Sequence, residues 1–178
     1  EQGTDKAALN WQTFNIGAGQ SVQFVQPAAT SVALNRVIGN EASQIYGSLT
    51  ANGQVFLVNP SGVMFAPGAQ VSVGGLVASS LAISNEDFMA GRYTFSGTGG
   101  GSVDNHGNIE TKRGGYVLLA APKVTNTGTI KADAGSIGLL ADVRLMAHHR
   151  WGFMVGRIAL TGLVRLALVP FPGSVDPD

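Results

Sequence analysis

The chain has 178 residues, of which 44% are hydrophobic and only 12% charged, and its formal net charge is zero. That length suits one domain with a real core, and the apolar content excludes a disordered chain. A balanced charge provides no global field for nucleic acid or an anionic membrane, and the absence of cysteine excludes a disulfide framework, a thiolate zinc site and a cysteine nucleophile. The 25 glycines are about twice the average usage and lack a collagen triplet. Glycine combined with Val, Ser, Thr and Asn points to all-β structure rich in tight turns.

Residues 9–26 alternate apolar and polar around Gly17-Ala18-Gly19. The alternation predicts two short strands with Trp11, Phe14, Ile16, Val22 and Phe24 facing inward. Pro27 ends that unit, and residues 32–37 read as the next strand before a polar loop at 39–43. From Ile45 the chain becomes regular, with short apolar runs at 45–49, 53–57, 63–65 and 70–77.

The stretch from Gln54 to Phe65 is interrupted once, at Asn59-Pro60-Ser61-Gly62. Pro60 fixes φ for a turn and Gly62 supplies a positive φ, so the stretch reads as two strands around a corner. Residues 84–91 break the β pattern. Ser84 is an N-cap with Asp87 three residues on, and Gly91 is placed to stop one short helical turn. Residues 92–95 then read as a strand. Thr98-Gly99-Gly100-Gly101 reads as a flexible loop, and it lacks the following Lys-Ser/Thr and helix that a phosphate cradle needs.

Val103, Asn105, Gly107 and Ile109 match Val124, Asn126, Gly128 and Ile130, 21 residues apart. The runs 115–120 and 135–140 match at 20. A period near 20 with two or three short strands per unit is the signature of a β-solenoid. One coil cannot bury its inner face alone, so coils stack and equivalent residues form ladders. Val103 stacks on Val124 and Ile109 on Ile130, while Asn105 and Asn126 form a corner ladder that satisfies backbone groups. The pattern stops after Val143. Arg144, Arg150, Arg157 and Arg165 follow in a segment broken by Gly152, Gly156 and Gly162. Residues 144–178 are therefore set apart as an unpatterned Arg-containing tail. A basic amphipathic helix, a capping or disordered tail, and non-native sequence all remain open readings.

Several segments together resemble the N-terminal secretion domain of two-partner secretion exoproteins, the filamentous haemagglutinin type of Gram-negative bacteria. They are residues 10–16, 34–37, 45–49, 51–63, 73–79 and 114–117, and the resemblance covers most of 9–143. It implies a right-handed parallel β-helix over residues 1–143, with small extra-helical hairpin or helical elements. It also implies export through the periplasm, where the periplasmic domains of an outer-membrane barrel transporter recognise the domain, and folding that starts at the cell surface. The family's Asn-Pro-Asn-Gly turn falls on Asn59, Pro60, Ser61 and Gly62, with Ser61 in place of the second Asn. A second Asn-Pro motif is absent, with Gly39-Asn40-Glu41 in its place. The family's first strands and signal peptide are expected before Glu1, which suggests a fragment or truncated product. No cofactor, metal or nucleic-acid partner is implied, and any glycan at a host or bacterial surface would be met by a passenger beyond this domain.

Two other classes compete. A carbohydrate- or receptor-binding adhesin would use Tyr46, Tyr93 and Tyr116 as platforms. A β-helix polysaccharide lyase or hydrolase would need clustered acids and bases, and Asp104, Glu110, Lys112, Arg113, Lys131 and Asp133 form the one dense group. Their spacing suits solvated corners better than a catalytic face. His106 reads as a surface turn residue, and His148-His149 lacks a third ligand at metal spacing.

Overall fold

The 20-to-21-residue repeat closes as one turn of a parallel coil. The computed structural model describes residues 1–97 and 99–141. Its strands are β1 (Lys6–Trp11), β2 (Ser21–Phe24), β3 (Val32–Val37), β4 (Ser43–Ile45), β5 (Ser48–Ala51), β6 (Gln54–Val58), β7 (Val63–Phe65), β8 (Gln70–Val73) and β9 (Gly75–Ser79). A helix, α1 (Asn85–Met89), precedes β10 (Val103–Asn105), β11 (Asn108–Thr111), β12 (Tyr116–Ala120), β13 (Val124–Asn126), β14 (Thr129–Lys131) and β15 (Ser136–Leu140). Three sheets result, here called A (β1-β3-β6-β9-β12-β15), B (β4-β7-β10-β13) and C (β2-β5-β8-β11-β14). Every pairing between these strands is parallel, and the chain visits B, C and A in turn. This is a parallel β-helix.

The repeat residues lie in register. Val103 pairs with Val124 and Asn105 with Asn126, while Ile109 pairs with Ile130. Inward residues of all three sheets form one core, including Ile16, Ile45, Leu49, Leu57, Phe65, Val71, Leu76, Val103, Ile109 and Leu119. Glycine sets the corners because stacked backbones meet there. A Cβ on Gly115 would lie 2.2 Å from Gly74 O, and one on Gly128 would lie 2.1 Å from Gly107 O. Neither corner has room for a side chain.

Sheet A is also covered on its outer face. The chain leaves the coil after β9 and returns at β10, laying Leu81, Ile83, Phe88 and Phe95 over Val32, Leu34, Phe56, Val58, Val77 and Leu118. Burial on both faces explains why β6 and β12 are continuous apolar runs rather than alternating ones. Phe56 is fully buried and sits at the centre of the contact, 4.9 Å from the Tyr93 ring, 6.0 Å from Phe88 and 6.1 Å from Phe95. Polar ties reach further back along the coil. Lys6 Nζ donates to Met89 O at 2.9 Å, and Arg36 donates to Ile83 O at 2.7 Å and to Asn85 Oδ1 at 2.9 Å.

Three local expectations need correction. Residues 9–26 hold strands on both sides of Gly17-Ala18-Gly19, but the first is shorter than read: β1 ends at Trp11, and Phe14 and Ile16 lie beyond it, with Ile16 making a single bridge to Ile45. Phe14 and Ile16 are buried, but Trp11 is 38% exposed. It occupies an inward column, in register with Val37, yet no described strand covers β1 on its far side. Residues 92–95 are not a strand either. The segment packs against sheet A through Tyr93 and Phe95, and Ser96 makes one antiparallel bridge to Ala82. The short helix forms as read, with Ser84 Oγ accepting from Asp87 N at 3.0 Å and Gly91 at φ +76°. The tail at 144–178, with His148 and His149, lies outside the described residues.

Candidate functional site at the Asn59 corner

Asn59 directly follows β6, and its side chain is directed into the structure rather than toward solvent. The residue is fully buried. Its Oδ1 accepts from Ser61 N at 2.9 Å, closing an Asx turn, while Gly62 N donates to Asn59 O at 2.9 Å. Its Nδ2 donates to Glu41 O at 2.9 Å and to Ser43 Oγ at 3.0 Å. One side chain thus shapes its own corner and ties it to the corner of the preceding coil. No aliphatic residue could do both.

Gly62 has φ +112°, a left-handed value that disfavours other residues. It also touches the returning end of the excursion. A Cβ on Gly101 would lie 2.2 Å from Gly62 N, and one on Gly99 would lie 1.9 Å from Ser80 O. Gly101 N donates to Pro60 O at 3.0 Å, and Val63 N donates to Ser102 O at 2.9 Å. The glycine run is therefore the seam where the excursion rejoins the coil. Of the four motif residues, Pro60 is exposed and Ser61 partly so, while Asn59 and Gly62 are buried. Pro60 and Ser61 form the part of the corner that a partner can reach.

The partners of this corner were not evident from the motif alone. Glu41 and Ser43 lie in what read as a plain polar loop, and Gly99 and Gly101 in what read as a flexible one. The signal for the second was the tripled glycine itself, which fits close backbone approach as well as flexibility.

Asn105 and Asn126 lie elsewhere, in sheet B. Asn105 Nδ2 donates to Asn126 Oδ1 at 2.8 Å, and Asn105 Oδ1 accepts from Gly107 N at 3.1 Å. They continue the inward column occupied by Ile45 and Phe65 in earlier coils.

The remaining candidates separate by environment. Lys131 Nζ lies 3.1 Å from Glu110 and 3.4 Å from Asp133, all exposed, and the Glu110 carboxylate, then Asp133, holds the ammonium pKa above its ordinary value. These are solvated ion pairs along sheet C. His106 Nδ1 lies 2.6 Å from Thr127 Oγ1 on the exposed corner. Tyr116 is half-buried and donates to Gln54 Oε1 at 2.5 Å, and burial, then Tyr93, pushes its phenol pKa well up. Tyr93 packs on Phe56, which leaves Tyr46 as the exposed ring of the three. No helix among the described residues is long and apolar enough to cross a membrane, and none of their His, Asp and Glu residues cluster as a metal site would require.

The family model of the TPS secretion domain matches residues 1–147. A heme/hemopexin-binding protein of Haemophilus influenzae is 40% identical over 141 residues, covering 74% of this chain and 15% of that protein. Another from Haemophilus influenzae is 46% identical over 96 residues, covering 54% of this chain and 10% of that protein. The crystal structure of the HMW1 secretion domain from Haemophilus influenzae is similar at a TM-score of 0.73 and 39% identity, covering 79% of this chain and 41% of that one. The chain therefore spans a minor part of these relatives. Its parallel coils and the match over residues 1–147 lead to one conclusion: this chain belongs to the TPS secretion domain family, the secretion domains of two-partner secretion exoproteins.

Proposed function

We propose that the chain is the secretion signal of a larger exoprotein, recognised in the periplasm by the periplasmic domains of an outer-membrane barrel transporter. Once outside the cell, it nucleates folding of the β-helix that follows. Family membership supports the first part. The observation that carries the second is the state of the last described coil. Ile137 is 41% exposed although it continues the inward column of Leu76 and Val117, and Val124, Ile130 and Leu139 are only partly buried. A further coil in register would cover them, and burial of apolar area at about 25 cal/mol per Å² would drive its addition. The role is a non-catalytic one, and the secretion unit closes near residue 143. The activity of the passenger, including any adhesion to glycans, resides beyond it.

Within this role the Asn59 corner acts through shape. Asn59 and Gly62 set the turn, and Pro60 and Ser61 are what a transporter would touch. The test is co-expression with the cognate transporter of a passenger fused behind the full chain. The reading expects secretion to fall when Pro60 and Ser61 are both changed to bulky charged residues that leave the folded domain intact. Undiminished secretion of that variant would remove the corner from the recognition surface.

A further inference from the structure

The corner between β5 and β6 holds Asn52-Gly53, the most labile kind of dipeptide in a polypeptide, because an unbranched neighbour lets its backbone nitrogen reach the asparagine amide. The fold dictates both residues. A Cβ at position 53 would lie 2.6 Å from Ser31 O, 2.7 Å from Gln26 Oε1 and 2.9 Å from Ala28 O, so only glycine fits. Asn52 pairs with the backbone of Gln26 in both directions, Oδ1 accepting from Gln26 N at 2.7 Å and Nδ2 donating to Gln26 O at 2.7 Å.

We propose that Asn52 is a deamidation site that the native fold keeps closed and that opens only while this corner is unfolded. In the reaction Gly53 N loses its proton to base and attacks Asn52 Cγ. A C–N bond forms, the Cγ–Nδ2 bond breaks, and ammonia leaves with the resulting succinimide in place. Water then opens the ring to aspartate or isoaspartate. The folded corner opposes every element of the attack. Gly53 N–H is held by Gln26 Oε1 at 3.1 Å, the Asn52 amide is fixed on Gln26, and the crowded carbonyls around Gly53 prevent the peptide rotation that ring closure needs.

Once ammonia has left, the change is permanent. Asn52 is exposed, so a carboxylate there stays solvated, but it has no proton to donate and the corner refolds without the hydrogen bond from Nδ2 to Gln26 O, a loss of stability. The chemistry depends only on this chain. Its consequence for export, that time spent unfolded is recorded irreversibly at one residue, rests on the secretion reading.

The test incubates the full chain at mildly alkaline pH, with and without denaturing urea, and follows the mass gain of the peptide carrying residue 52 by mass spectrometry. The native protein should react at least about a hundredfold more slowly, as a local opening populated below one per cent imposes. Gln26→Ala should raise the native rate toward the urea rate. Because that variant also loses other contacts, Asn52→Asp is measured beside it and should lower the urea midpoint. Equal rates in native and urea-unfolded protein would overturn the closed site. A midpoint unchanged by Asn52→Asp would overturn the part given to the Asn52–Gln26 pair in holding the corner closed. Both outcomes leave the transporter reading untouched.

Discussion

Replacing Asn59 by alanine removes three hydrogen bonds at once: to Ser61 N, to Glu41 O and to Ser43 Oγ. Neutral hydrogen bonds contribute about 0.5–1.5 kcal/mol each, and a buried partner left unpaired adds to the loss. Ser43 is fully buried, so its hydroxyl has no water to turn to. The expected cost is about 2–4 kcal/mol, a large share of a small domain's stability. Urea denaturation should show a lower midpoint with an unchanged slope. Asn59→Asp separates the two halves of the role, since it keeps the acceptor for Ser61 N but loses the donor to Glu41 O. It should be no better than alanine. A loss below about 0.5 kcal/mol for Asn59→Ala would refute the claim that this side chain holds two corners together. Secretion supplies a second control. Asn59→Ala should be secreted less in proportion to its lost stability, and a variant that folds normally yet is not secreted would show that Asn59 is itself a contact.

Three further outcomes follow from the excursion. Phe56→Ala leaves a cavity beneath three rings and should cost about 3–5 kcal/mol, with amide exchange accelerating in α1 and in β3 together; acceleration confined to β6 would contradict the packing. Gly101→Ala forces a Cβ to within 2.2 Å of Gly62 N and should lower the urea midpoint, whereas Gly100→Ala has nothing within 4 Å and should not. The Arg92 side chain, then Ser84, lowers the Asp87 carboxyl pKa. A group with a depressed folded pKa stabilises above its unfolded pKa and loses that contribution as pH falls through the folded one. The protection of α1 amides, taken relative to their intrinsic exchange rate at each pH, should therefore fall in acid, below the ordinary aspartate range, and Asp87→Asn should abolish the step.

The coil was legible because its physics is local and repeated. A column inside a solenoid demands the same residue type every turn, and Val103-Val124 or Ile109-Ile130 state that demand directly. The corner glycines recur because stacked backbones exclude a Cβ, which leaves a periodic mark. The excursion recurs nowhere, so no offset betrays it. Its trace was compositional: Val55-Phe56-Leu57-Val58 is apolar at successive positions, which means two covered faces, and a lone coil wall offers only one. Trp11 shows the other limit. Alternation assigns its column correctly, but exposure depends on whether another strand lies beyond, and strand order is a long-range fact. At the candidate site the turn chemistry of Asn59, Pro60 and Gly62 was visible, while the burial of Asn59 was not, because its partners Glu41 and Ser43 come from a different coil.

These two kinds of order place the stability of the domain unevenly. In a stacked array each coil is held mainly by its neighbours, and the later coils β10–β15 have ladders such as Asn105-Asn126 and the exposed Lys131-Glu110 pair between them. The earlier coils have more. β1, β3 and β6 are joined through Lys6, Arg36 and Phe56 to a segment that follows β9, so contacts distant in sequence close over them. Loop-closure entropy opposes such contacts until residues 80–97 are available. Before that point the apolar outer row of Val32, Leu34, Phe56, Val58 and Val77 has no cover, and afterwards the first three coils behave as one unit. Under the proposed function, a chain leaving its transporter with residue 1 foremost would remain easy to unfold until the excursion emerged. It would then become committed in a single step, with the Gly99–Gly101 seam locking the Asn59 corner as that step completes.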